Sequence, residues 1–193
     1  MKPVLTKVTE VEGIFFETWI SEPVLIIPPK EVDAYTPVEW GISVANNSPH
    51  SYRFVFFHLV PEIIKVNGEK IKLDYGSNAT CSPYGCDFIL LKPGERVSSV
   101  VNGKLYWLLE EQIPQDSENR FLAQETLRIQ GRNRFGGIWS FWNLSPDTYF
   151  VRFSYEKRAA REKLRGTNEI VEDIWVGKVL TPWAEFSLVL PSI

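Results

Sequence analysis

The sequence predicts an all-β fold, an antiparallel β-sandwich, and two observations carry that expectation. The first is alternation with period two. Residues 148–156 set Tyr149, Val151, Phe153 and Tyr155 on one face and Phe150, Arg152, Ser154 and Glu156 on the other, as in a strand with one face on a core. Val38, Trp40, Ile42 and Val44 alternate in the same way. The second is composition: 7 Trp, 7 Tyr and 12 Phe fall mostly in runs with Val and Ile, side chains that suit a pleated, half-buried surface. A chain of 193 residues buries roughly 70% of its unfolded surface, so a core needs neither disulfide nor metal. No repeat, low-complexity tract or linker divides the chain, and a single domain over 1–193 is expected.

Taken in order, residues 1–13 are mixed and predict a loosely attached lead-in. Residues 14–27, interrupted at Pro23, predict a bent edge strand, because proline cannot donate to a central ladder. The 38–46 strand, the turn Asn46-Asn47-Ser48-Pro49 and a returning strand over 52–59 predict a hairpin. Residues 63–66 and 69–73 flank Asn67-Gly68, the pair favoured in a type I′ turn, and predict a second one. A short strand at 88–91 ends at Lys92-Pro93-Gly94, and residues 96–109 predict a strand with a bulge or turn at Asn102-Gly103.

An irregular insert near 110–136 includes a short helix from Glu118 to Gln124, capped by Asp116-Ser117, and a strand-like stretch at 127–129. Residues 137–156 predict two strands joined as a hairpin by Leu144-Ser145-Pro146-Asp147. The first carries aromatics on both faces and is expected to be covered on both sides. A second insert, 157–172, is charged and weakly helical around 159–164; residues 174–179 and 184–190 close the sheet.

Tyr149, just past the 144–147 corner, resembles the tyrosine corner of immunoglobulin-like sandwiches, where the ring packs inside and the hydroxyl bonds nearby backbone. Other turn motifs point the same way: Val44-Ala45-Asn46-Asn47-Ser48, Leu91-Lys92-Pro93-Gly94-Glu95 and Trp175-Val176-Gly177-Lys178-Val179. Together they resemble bacterial immunoglobulin-like domains of the intracellular proteinase inhibitor type, over about half the chain. That family has a glycine before the corner tyrosine where this chain has Asp147, and the two inserts have no obvious counterpart. The resemblance implies an immunoglobulin-like antiparallel β-sandwich with two irregular, partly helical inserts, and it favours protein binding.

Composition also narrows the function. A net charge of −3 and a pI near 5.5 disfavour nucleic-acid and membrane-surface binding. No apolar run approaches the roughly 18 residues of a membrane helix. The N-terminal stretch lacks the apolar core of a secretion signal, so a cytoplasmic location is expected. Cys81 and Cys86 flank Ser82-Pro83-Tyr84-Gly85; they would close a loop disulfide in an oxidising compartment and stay free thiols in a cytoplasm. His50 and His58 would lie about 26 Å apart on one strand, too far to share an ion, and no metal or cofactor is expected. Neither a Gly-x-Ser-x-Gly elbow nor a glycine-rich phosphate cradle occurs, and Glu110, Glu111, Glu125, Glu172 and Asp173 are motif-free acids in polar inserts. An enzyme is not expected.

Two features point to binding. The hairpin expected at 137–156 would gather Arg132, Arg134, Lys157, Arg158, Arg161, Lys163 and Arg165 at one pole, against few acids. Loops on a rigid sandwich commonly carry function, so the expectation is a protein-interaction module docking an anionic protein partner there. A merely solvated charge run is the plain alternative. The second feature is tryptophan. Trp19, Trp107 and Trp183, near strand ends, are candidates for an exposed carbohydrate platform, whereas Trp40, Trp139 and Trp175 are expected in the core.

Overall fold

In a computed structural model, which describes residues 8–57, 59–76, 82–109, 125–133 and 136–191, the alternating segments become strands and no α-helix occurs among the described residues. A seven-stranded antiparallel sheet takes β1 (Thr9–Val11), β2 (Ile14–Ile20), β4 (Thr36–Asn46), β9 (Arg96–Leu108), β10 (Thr126–Arg132), β11 (Ile138–Leu144) and β7 (Leu73–Gly76), in that spatial order. The facing sheet is built around β12 (Asp147–Lys157). One edge of β12 pairs with β6 (Pro61–Lys65); the other pairs with β16 (Ala184–Val189) and then β15 (Gly177–Leu180). Outside β16 lies β3 (Val24–Ile26), running parallel to it. Two small pairs complete the fold: β5 (Tyr52–Phe54) with β8 (Ile89–Leu91), and β13 (Glu162–Lys163) with β14 (Ile170–Val171).

The inward positions of the two sheets meet in one aromatic-rich core. Trp40 of β4 lies 4.8 Å, centroid to centroid, from Phe186 of β16 and stacks at 6.3 Å on Trp139 of β11. Farther along, Phe16 of β2 packs 5.9 Å from Tyr155 of β12 and 5.1 Å from Trp175. Ring pairs of this kind contribute about 0.5–1.5 kcal/mol beyond their buried area. Trp40, Trp139 and Trp175 are all buried, as their strand positions predict.

Several expected pairings do not form, for one shared reason: both edges of the strand concerned are already taken. β11 has β10 on one side and β7 on the other, so the chain leaving Leu144 crosses to the facing sheet and residues 137–156 form an arch, not a hairpin. Tyr149 is wholly buried beyond that corner, and its hydroxyl donates to the Ser145 carbonyl (3.0 Å) and accepts from the Ser145 amide (3.1 Å). Likewise β4 is flanked by β2 and β9, so 52–59 does not return along it and β5 pairs with β8 instead. The buried Asn46 side chain turns the chain away: its amide donates to the His50 and Leu91 carbonyls, and its oxygen accepts from Ser48 N and Oγ.

Other corrections are local. The lead-in contains β1, turned into β2 through Glu12 and Gly13, both at positive φ (51° and 79°). At Pro23 the expected bent strand changes sheets, with β2 in one and β3 in the other. The Asn67-Gly68 turn is not type I′, for only Gly68 has positive φ (85°); Val66, Asn67 and Gly68 form a three-residue loop closed by Lys65 N–H on the Glu69 carbonyl. β9 runs unbroken through Asn102-Gly103. Gly103 faces Gly131 across the ladder, and a Cβ at Gly131 would lie 2.3 Å from the Trp139 ring, so these glycines seat the indole instead of breaking the strand.

The second insert is not helical. It folds as the β13–β14 pair, anchored by Leu164 and Val171 in a small apolar cluster with Val55, Phe88 and Ile174. The helix expected at 118–124 lies outside the described residues. No helix of the described residues is long and apolar enough to cross a membrane.

Candidate functional site

The arch into β12 leaves part of that strand without a neighbour. Phe153 exchanges both backbone bonds with Thr181 on the β15 side, donating to its Oγ1 at 2.8 Å and accepting from its amide at 2.9 Å. Backbone groups alternate sides along a strand. Tyr155 and Lys157 therefore also face β15, and Ser154 and Glu156 turn their amides and carbonyls to the opposite edge. There β6 ends at Pro61, opposite Phe153, and no described strand runs beside Ser154 or Glu156. A groove of about 610 Å³ occupies that side, with Val55, Phe56, Phe57 and Leu59 on one wall and residues 154–159 on the other.

The charged residues expected at one pole are divided by the fold. Arg132 lies on the outer face of the seven-stranded sheet, opposite Asn102, which is itself opposite Glu39. Tyr155 packs on Phe16, which is opposite Val44. Five residues of β4, on the order of 15 Å, separate those levels, and the two residues lie in different sheets. Arg134 lies outside the described residues.

Of the remaining five, Lys157 and Arg158 line the groove, and Arg161, Lys163 and Arg165 lie in or beside β13. Lys157 bonds Glu162, and Arg158 Nε donates to Glu156 Oε1 at 2.7 Å. The Arg158 hydrogen bond, helped by Lys178, holds the Glu156 carboxyl below the usual range. Arg161 and Lys163 are exposed and have no acidic partner among the described residues; Arg165 is exposed. Tyr155 closes the base of the groove, and burial pushes its phenol up to about 12, against the opposing pull of the Val55 backbone.

The three candidate tryptophans do not form a platform. Trp19 sits half-buried on the outer face of β2, opposite Gly41. Trp107 packs on the core edge, donates to the Pro28 carbonyl at 3.1 Å and is covered by Lys30 at 4.4 Å. Trp183 lies in the connection between β15 and β16, under Arg152 at 4.2 Å. Arg152 in turn bonds Glu62, where burial opposes ionisation but the hydrogen bonds from Lys70 and Arg152 outweigh it and hold the carboxyl below its usual range.

A different surface, absent from the sequence reading, gathers cations and rings on the outer face of the large sheet. The Arg128 guanidinium carbon lies 4.3 Å from the Tyr106 ring and 4.7 Å from that of Trp142, and Lys104 Nζ lies 4.0 Å from the Tyr35 ring. The signal was present but partial: Arg128 between Leu127 and Ile129 is an outward strand position, yet its placement opposite Tyr106 follows only from the β9–β10 register.

Cys86 is an exposed free thiol in a single 3-10 turn, Gly85–Asp87, while Cys81 and His58 lie outside the described residues. Among the described residues no group of three or more His, Cys, Asp or Glu is placed to hold a metal ion. Comparison of the chain with protein-family models, curated proteins and solved structures found no match.

Proposed function

We propose that this protein is a non-enzymatic protein-interaction module of immunoglobulin-like type, which docks an extended, anionic segment of a protein partner along the open edge of β12. The single observation that carries the reading is that edge: among the described residues no strand pairs with the backbone of Ser154 and Glu156, which lies beside a groove of about 610 Å³ with one apolar wall and with Lys157 and Arg158 in its lining. An exposed strand edge is a template for one more strand, whose main-chain bonds give affinity while wall pockets and charges give selectivity. Arg158, Arg161 and Lys163 favour acidic side chains on the incoming segment.

The immunoglobulin-like assignment is supported by chain order. β2, β4 and β9 take the places of strands A, B and E, β7 of D at the far side of the inserted β10–β11 pair, and β6, β12 and β16 of C, F and G. Tyr149, near the start of β12 and bonded back to Ser145 at the corner, fits the same layout. The resemblance to proteinase-inhibitor-type domains adds weight to binding over catalysis.

The test is a titration with short acidic, neutral and basic peptides of extended character. Acidic peptides are expected to bind best, with affinity reduced at least about tenfold in an Arg158→Gln, Arg161→Gln, Lys163→Gln variant. Ser154→Pro removes an edge amide without touching the β15 side and is expected to abolish binding. Equal binding of acidic and basic peptides, or indifference to Ser154→Pro, would overturn the reading.

A further inference from the structure

The outer face of β9, β10 and β11 has an arrangement that packing alone does not require. Arg128 is half-buried between the Tyr106 and Trp142 rings, and its buried Nε has no hydrogen-bond acceptor. Lys104 rests on Tyr35. Neither cation, nor exposed Arg132, has an ion pair among the described residues, although nearly every other cation in contact with a ring here also bonds a carboxylate: Lys30 with Glu125, Arg152 with Glu62, Lys157 with Glu162. Burial lowers the pKa of Arg128.

Register fixes the spacing of the three charges. Arg128 is opposite Tyr106, Lys104 opposite Gln130, and Arg132 opposite Asn102. Lys104 is thus diagonal to both arginines, at roughly 7–8 Å between backbone positions. A hollow of about 520 Å³ lined by Asp33, Tyr35, Tyr106 and Trp107 continues into one of about 390 Å³ beside Arg132; the two share Lys104 and Gln130, and Arg128 lies on the same face outside both. Tyr106 donates to Gln130 Oε1 at 2.6 Å, which aligns the Gln130 amide at the junction.

We propose that this face binds an anionic saccharide, carboxylated or sulfated, whose acid groups engage Lys104, Arg128 and Arg132. The rings hold Lys104 and Arg128 in place by their negative faces, and the Gln130 and Asn102 amides suit a sugar's hydroxyls. A neutral sugar would leave the cations unsatisfied. Single-stranded nucleic acid is the less suitable occupant, because these ring faces are already covered by cations and a base stacks on a bare face. This site is separate from the β12 edge and stands or falls without it.

The test is calorimetric titration of the full chain with four probes: a polyuronate oligosaccharide, a sulfated oligosaccharide, a neutral oligosaccharide and a single-stranded oligonucleotide. Binding of at least one acidic saccharide, not of the neutral one, is expected, weakening with salt. Lys104→Gln and Arg132→Gln should each weaken it about tenfold, and Lys65→Gln, in β6 of the facing sheet, should not. Arg128→Met keeps the packed stem and should abolish binding; if it unfolds, the two surface variants still decide. Which acidic probe binds distinguishes carboxylate from sulfate as the recognised group. Failure of both acidic saccharides, unchanged affinity in Lys104→Gln and Arg132→Gln, or preference for the oligonucleotide would overturn the proposal.

Discussion

Tyr149 and Tyr155 lie on the same face of β12, six residues apart, and their hydroxyls meet different fates. Tyr149 finds the Ser145 backbone, while Tyr155 sits among Phe16, Phe54 and Trp175, where burial raises its phenol from an ordinary 10.0 to about 12. Between those values the unfolded chain has lost this proton and the folded chain retains it. Stability contributed by the neutral phenol is therefore complete below pH 10 and falls as pH rises toward 12, by about 1.4 kcal/mol per pH unit. Chemical denaturation from pH 9 to 12 should show that alkaline decline, flattened in Tyr155→Phe; an unchanged slope in the variant would place the titration elsewhere. The inward aromatics of β12 were legible from alternation. The polar environment of each hydroxyl was not, since it depends on the facing sheet and on the path of residues 52–57.

At the scale of elements, strand positions were easier to read than strand partners. Period two locates β4 and β12 because each turns alternate side chains into the core, and that is a property of the segment itself. Pairing is a property of which edges remain free. Turn chemistry at Asn46 and at 144–147 suggested hairpins, and in both places the flanking strand already had two neighbours. The Asn102-Gly103 break was misleading for a related reason: the glycine accommodates Trp139, a residue distant in sequence. Division of the expected basic pole follows from the same arch, which separates Arg132 from Lys157. The β13–β14 pair, with its weakly helical sequence, is held by the small cluster around Leu164. Leu164→Ala should remove roughly 2–4 kcal/mol of local packing. Protease nicking confined to 157–172, with the sandwich transition little changed, is the expected result in limited proteolysis; loss of the whole fold would make the pair integral to the main core.

For the molecule as a whole, a net charge of −3 conceals a segregation of cations. Lys104, Arg128 and Arg132 lie on the outer face of one sheet, and Arg158 lines the groove at the open edge of the other, with Arg161 and Lys163 in the nearby β13 segment. Total charge disfavours nucleic acid and membrane surfaces as partners, but it carries no information on where the cations of the folded chain gather. The open β12 edge is the centre of the functional account, and amide hydrogen exchange over residues 154–157 tests it most directly. In the free protein Ser154 and Glu156 should exchange fast while Tyr155 and Lys157, bonded toward β15, exchange slowly. A saturating acidic peptide should then slow Ser154 and Glu156 selectively. Protection of all four amides in the free protein, or no change at Ser154 and Glu156 on binding, would contradict docking at this edge.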